Sequence, residues 1–171
     1  MDELPLVPYG NTGDILRDMR GIIELSRQSA YQAVNMALVR RNWLLGRRIA
    51  EEELQGGSRA EYGLEIIKEM SKALTEEYGK GFDRTNLYNY LKFYKYFPEI
   101  VDTACQLSGN VLSWSHYRVL LRVEDDAARK WYEQEAFHQT WAVRTLQRNV
   151  STQYYFISIS SFTTTFSSVL C

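Results

Sequence analysis

The chain has 171 residues, 45% of them hydrophobic, and a formal net charge of −1. This supports a folded core in one domain, or one domain with an appendage, and excludes a disordered chain and a uniformly basic polyanion binder. Cys105 and Cys171 are the only cysteines, which excludes a disulfide framework and points to a reduced, cytoplasmic setting.

Charge is unevenly spread. Residues 14–50 hold seven arginines against three acids, residues 51–77 eight acids against three bases, and residues 79–97 four bases against one acid. Local potential, not net charge, decides whether a surface attracts a polyanion.

Residues 1–13 read as a loose lead-in. Pro5, Pro8, Gly10 and Gly13 oppose regular structure, and no apolar core of a signal peptide is present. Thr12 or Asp14 can cap the next element. Residues 15–54 lack proline and read as a long helix. Ile15, Met19, Ile22, Ser26, Ala30, Ala33, Ala37 and Leu44 step by threes and fours down one side. Unbroken, this helix would be about 60 Å long, more than one small domain can cover. Its small residues permit close helix approach, so a partner helix is expected, possibly from a second copy of the chain. The alternative is a break at Gly21 or Gly46 into two shorter helices. Trp43 is a core candidate, with Arg47 and Arg48 solvated.

Residues 55–58 form a Gly-Gly turn, and Ser58 can cap an acidic amphipathic helix over 62–78, with Leu64, Ile67, Leu74 and Tyr78 on one side. A turn built on Gly79 and Gly81 follows. Asp83 stands as N-cap of a helix that runs to Phe97 and is stopped by Pro98. Leu87, Leu91, Tyr94 and Phe97 make its apolar stripe, while Arg84, Tyr88, Lys92 and Lys95 lie off it, with Asn86 and Asn89 at the flanks. Helix, short glycine turn, helix is the helix-turn-helix arrangement, in which the second helix enters the major groove. Arginine can bond guanine, asparagine can bond adenine, and lysine meets phosphate. An ordinary helical hairpin with a solvated face gives the same pattern.

Beyond a short segment at 99–110, Ser113 or Ser115 can cap a helix over 114–122. Glu124-Asp125-Asp126 opens another, to about His138. Thr140 can cap a last one over 141–150, carrying Trp141, Val143, Leu146 and Val150. The reading is six or seven helices and no strand before residue 150. Trp114 and Tyr117 read as core, Arg118 and Arg122 as candidate phosphate contacts. Residues 151–171 differ abruptly. No charged residue follows Arg148, about half of the tail is Ser or Thr, and aromatics are interspersed. It reads as a non-native or poorly ordered tail with high aggregation propensity.

Catalytic signals are sparse. His116 and His138 are isolated, no metal-ligand spacing exists, and no phosphate loop or nucleophile turn is present. No cofactor and no small-molecule substrate are implied. Nucleases of the PD-(D/E)XK type need an acid two residues before a lysine, so that both face one metal-bound water. The residues two before Lys68, Lys72, Lys80, Lys92, Lys95 and Lys130 are Ile66, Met70, Tyr78, Tyr90, Phe93 and Ala128, none of them acidic.

Five blocks carry a family resemblance: N-W-L-L-G-R-R-I-A-E-E-E (42–53), A-E-Y-G (60–63), G-K-G-F-D-R-T-N-L-Y (79–88), L-S-W-S-H-Y-R-V-L-L-R-V-E-D (112–125) and W-A-V-R-T-L-Q-R (141–148). Over roughly 14–150 they resemble the N-terminal module of the YhcG-like family, formerly of unknown function. The resemblance implies an all-α, winged-helix-like DNA-binding module that precedes a C-terminal PD-(D/E)XK nuclease domain. Here the sequence turns at about Ser151 into the uncharged tail, as a truncated or frameshifted member would, so binding carries over and catalysis does not. The expectation is a long N-terminal helix plus a helix-turn-helix bundle that binds DNA, with 83–97 as recognition helix. Lys80, Arg84, Asn86, Asn89, Lys92, Lys95, Arg118 and Arg122 are the expected contacts, and homo-oligomerisation is expected through the long helix. The alternative is an assembly module of a restriction or defence-type complex.

Overall fold

The computed structural model describes residues 10–55, 60–100 and 111–157. Its elements are α1 (Ile15–Gln55), α2 (Ala60–Tyr78), a 3-10 turn (Lys80–Phe82), α3 (Arg84–Tyr96), α4 (Trp114–Leu120), α5 (Asp126–His138) and α6 (Val143–Ser151). A helical turn also opens at Tyr154. The fold is all-α, and no strand occurs among the described residues. Expectations placed on the first residues of the lead-in, on Ser58, on residues 101–110 and on residues 158–171 lie outside the described residues.

α1 is one helix of 41 residues, unbroken at Gly21 and Gly46. Asp14 caps it, its Oδ1 accepting from the N–H groups of Leu16 (3.0 Å) and Arg17 (3.1 Å). Thr12 instead donates its backbone N–H and its hydroxyl to Asp18.

Only the C-terminal part of α1 packs on the body, through Val39, Asn42, Trp43, Gly46 and Ala50, all buried. The stripe read from the sequence lies on roughly the opposite side. Ile15, Met19, Ile22, Ser26, Ala30, Ala33, Ala37 and Leu44 are all exposed. α1 therefore carries two apolar faces in different directions, and this chain covers one of them.

The covered face seats on α3. A Cβ placed on Gly46 would lie 1.9 Å from the Tyr90 carbonyl oxygen and 3.1 Å from the Tyr94 Cβ, so only glycine lets the two backbones approach this closely. One turn away, Trp43 Nε1 donates to the Phe97 carbonyl at 2.8 Å, and its ring meets Tyr94 edge-on at 5.1 Å. Leu87, Tyr90 and Leu91 of α3 join Ala50 and Ile67 in one core cluster. Phe93 and Phe97 join Val39, Trp43, Tyr117, Leu120, Tyr132 and Leu146 in the other. α3 thus runs through the centre of the molecule with one long side left outside.

The C-terminal helices close the second cluster. Asp125 caps α5, accepting from Ala128 N–H at 2.6 Å. The Tyr132 hydroxyl donates to the Asn149 carbonyl and accepts from Tyr155 N–H, both at 3.0 Å. Tyr155 also packs against Trp131, so the start of the uncharged segment lies against α5.

Two of the expected caps are made differently. Thr140 does not cap the last helix. It sits at φ +48 and ends α5, its N–H bonding Phe137 O (3.3 Å) while Trp141 N–H reaches Ala136 O (3.0 Å). This is the Schellman closure usually given to glycine, and it delays the start of α6 to Val143. Ser113 occupies the N-cap of α4 without bonding a backbone N–H. Its hydroxyl donates instead to His116 Nδ1 (2.7 Å), while His116 Nε2 donates to the Trp141 carbonyl (2.8 Å). The histidine thus ties α4 to the α5–α6 connection.

The glycines of α1 give opposite expectations. Gly46→Ala drives a methyl into backbone and should cost about 3 kcal/mol or more. Gly21 has open space around it, so Gly21→Ala should gain about 1 kcal/mol from helix propensity. Urea unfolding midpoints of the two variants check both.

Glu133 supplies a pH dependence. Burial raises its carboxyl to about 7, against the opposing hydrogen bond from Tyr117 and the charges of Arg129 and Lys130. A carboxyl raised in the folded state binds protons that the unfolded chain has released. Its contribution is therefore complete below the ordinary value and is lost as pH rises through about 7. Relative to Glu133→Gln, the native chain should lose about 2–3 kcal/mol between pH 5 and pH 8, read from urea midpoints at the two pH values.

Candidate nucleic-acid interface

The outer side of α3 is set by what its inner side buries. Leu87, Tyr90, Leu91, Phe93 and Phe97 face inward, so Arg84 and Lys95 are left exposed and Tyr88, Lys92 and Tyr96 half-buried at helical spacing, both tyrosines packed on the core edge. Asp83 fixes the start of the helix, accepting from Asn86 N–H at 2.9 Å.

Along this side cations and rings alternate every four residues. The Arg84 guanidinium lies 5.9 Å from the Tyr88 ring centre and Lys92 Nζ 5.0 Å from that of Tyr96. Tyr96 is held from α5 by Arg129, whose guanidinium stacks on the ring at 3.8 Å. Arg129 is buried and is itself anchored on the Val123 carbonyl at 2.8 Å. The ladder Arg84–Tyr88–Lys92–Tyr96 is therefore fixed at its C-terminal end by a residue of another helix.

The expected contact residues fall into three groups. Lys80 and Arg84 are exposed at the entry to α3, and Lys92 and Asn89 are half-buried along its length. Asn86 and Lys95 are engaged. The Asn86 amide donates to Asp83 Oδ2 (3.0 Å) and the Lys80 carbonyl (3.4 Å), and Lys95 pairs with Glu53 of α1 at 2.9 Å. Arg118 and Arg122 are exposed on and just past α4.

Arg118 lies near the entry to α3. Burial raises the Tyr90 hydroxyl above its ordinary value, with the nearby charges of Arg41 and Arg118 opposing the rise. That hydroxyl donates to the Gly81 carbonyl at 2.9 Å, and Arg41 lies 5.2 Å from the Phe82 ring. The fold thus brings Arg41 to the turn that carries Lys80, with the charge of Arg118 near the Tyr90 hydroxyl behind it. Arg41 was missed because it follows from the α1–α3 crossing, which no local pattern announces. Tyr96 was legible in the four-residue alternation, whereas the Arg129 contact joins positions far apart in sequence.

Among the described residues no group of His, Cys, Asp and Glu side chains is placed to hold a metal ion, and no helix is long and apolar enough to cross a membrane. Residues 18–156 match the model of the DUF1016 N-terminal domain, and the chain belongs to that family. It is 31% identical, over 85% of its length, to a protein of Escherichia coli (strain K12) named "Putative nuclease YhcG". The aligned region is 47% of that relative, so the chain spans about half its length. No solved structure matches the chain.

Proposed function

We propose that this module binds DNA without cleaving it, presenting the outer side of α3 to the duplex as the second helix of a helix-turn-helix. The observation that carries the reading is the ladder of α3, two cations alternating with two half-buried tyrosine rings along one side of a helix whose opposite side is buried. Arg84, Lys92 and Lys80 would neutralise phosphates, Asn89 is the amide left free for a base edge, and Arg118 and Arg122 extend the basic surface onto α4. α2 and the 3-10 turn precede α3 as the first helix and turn of such a motif do. Similarity to about half of a relative named "Putative nuclease YhcG" supports nucleic acid as the ligand class. The absence of an acid two residues before any lysine supports a non-catalytic role for this chain. A second reading, an assembly module, draws on a different observation, the uncovered stripe of α1.

Fluorescence anisotropy with a labelled mixed-sequence duplex tests the DNA reading. Affinity should fall steeply with salt. Arg84→Ala and Lys92→Ala should each weaken binding to all sequences and lower the slope of log K against log salt by about 0.9. Glu53→Gln releases Lys95 from its partner and should tighten binding. No binding at low salt by the folded chain, or unchanged binding in both alanine variants, overturns the reading.

A further inference from the structure

The exposed stripe of α1 is graded along its length. Its N-terminal third carries large side chains: Ile15 is 77% exposed, Leu16 55%, Met19 54% and Ile23 48%. Its middle carries Ser26, Ala30, Ala33 and Ala37. Near the end facing the body, Ala37, Leu44, Leu45 and the stems of Arg40 and Arg41 line an open hollow of about 440 Å³ that is almost wholly apolar. One helix thus holds apolar knobs at one end of a stripe and an apolar hollow at the other.

We propose that two copies of this chain pair through α1, antiparallel, so that Ile15 at the N-terminal end of each stripe lies over the hollow of the other copy. The pairing is isologous and closes on itself. At heptad spacing, centring the two-fold axis between Ser26 and Ser29 sets Ile22 opposite Ala33 of the second copy. Ile15 then lies at the level of Arg40, over the hollow. The large Ile22 thus meets a small residue of the other copy at both symmetry-related levels, and the Ser26–Ser29 centre lets the helices approach closely. A parallel pair sets large on large at one end and small on small at the other, and straight helices cannot close both ends.

Charge agrees with this arrangement. Asp18 and Arg40 flank the same side of the stripe, and antiparallel pairing brings them within a turn of one another, twice by symmetry. On the other flank, Arg27 is already paired with Glu24 at 3.1 Å. The helix dipoles also oppose one another favourably. The stripe points away from the α3 contact.

Light scattering of the full chain across a dilution series tests the pairing. The expected result is a mass of twice the 20.0 kDa chain at the higher concentrations. Ile22→Asp, at an exposed position, should leave the circular dichroism unchanged and return the mass to one chain. Tyr31→Asp, exposed but off the stripe, should leave the dimer intact. Orientation is read by oxidising single-cysteine variants, with the native chain as baseline for Cys105 and Cys171. Ser26→Cys, near the two-fold axis, should cross-link well above baseline, and Ile15→Cys, far from it, should not. A chain that stays monomeric at every concentration, or a dimer unmoved by Ile22→Asp, overturns the proposal and leaves the stripe to another occupant, such as the part of longer relatives beyond this chain. Cross-linking of Ile15→Cys equal to that of Ser26→Cys overturns the antiparallel arrangement.

Discussion

The contact on which the molecule depends is the seating of α1 on α3 at Gly46. A missing side chain there lets the backbone of α1 approach the Tyr90 carbonyl, at a distance no Cβ would tolerate. Both core clusters are built outward from that seat. On one side Leu87 and Leu91 of α3 meet Ala50 and Ile67, and on the other Phe93 and Phe97 meet Trp43 and the C-terminal helices. Because α3 serves both clusters, its rotation about its own axis is over-determined. Its outer residues hold their bearing because its inner residues cannot turn.

The polar contacts reinforce this seat at points where helix ends need partners. The Trp43 indole satisfies the Phe97 carbonyl past the last turn of α3, a group the helix itself leaves open. Arg129 bonds the Val123 carbonyl before α5 and covers the Tyr96 ring of α3 with the same guanidinium. Each contact joins an element terminus to a core aromatic, so local capping and tertiary packing are one interaction at these places.

Much of this was legible in the chain. The caps at Asp14 and Asp83 are local chemistry, an acceptor side chain within three residues of an orphan N–H, and both form; the acidic start at 124–126 was legible, and within it Asp125 proves to be the cap. The extent of α1 was legible from the lack of proline, and the core character of Trp43, Trp114 and Tyr117 from their places in amphipathic segments. Which face of α1 packs was not legible. Threes-and-fours spacing found the more apolar stripe, but the body chose the face that carries Gly46 and Asn42, where close approach matters more than hydrophobicity. Thr140 misled for a related reason. A hydroxyl before a helix reads as an N-cap, and only the Schellman bonds of the preceding helix reveal that the position was already taken. In the candidate site the alternation along α3 could be read off directly. The pairing of Lys95 with Glu53 and the arrival of Arg41 at the α3 turn could not, since both are products of the crossing.

That α1 is continuous through Gly46 has a mechanical consequence. From Val39, the first buried position of its packed face, to Ile15 the helix extends about 36 Å at 1.5 Å per residue, without a hinge, so it is a beam clamped at one end. A tilt of about 5° at the clamp becomes an excursion of about 3 Å at the tip over that length. The leverage also runs in reverse. Whatever grips the free end applies its torque at Gly46, directly beneath the outer face of α3. The far end of the beam and the basic helix are then parts of one rigid linkage, and a load on either is felt at the other.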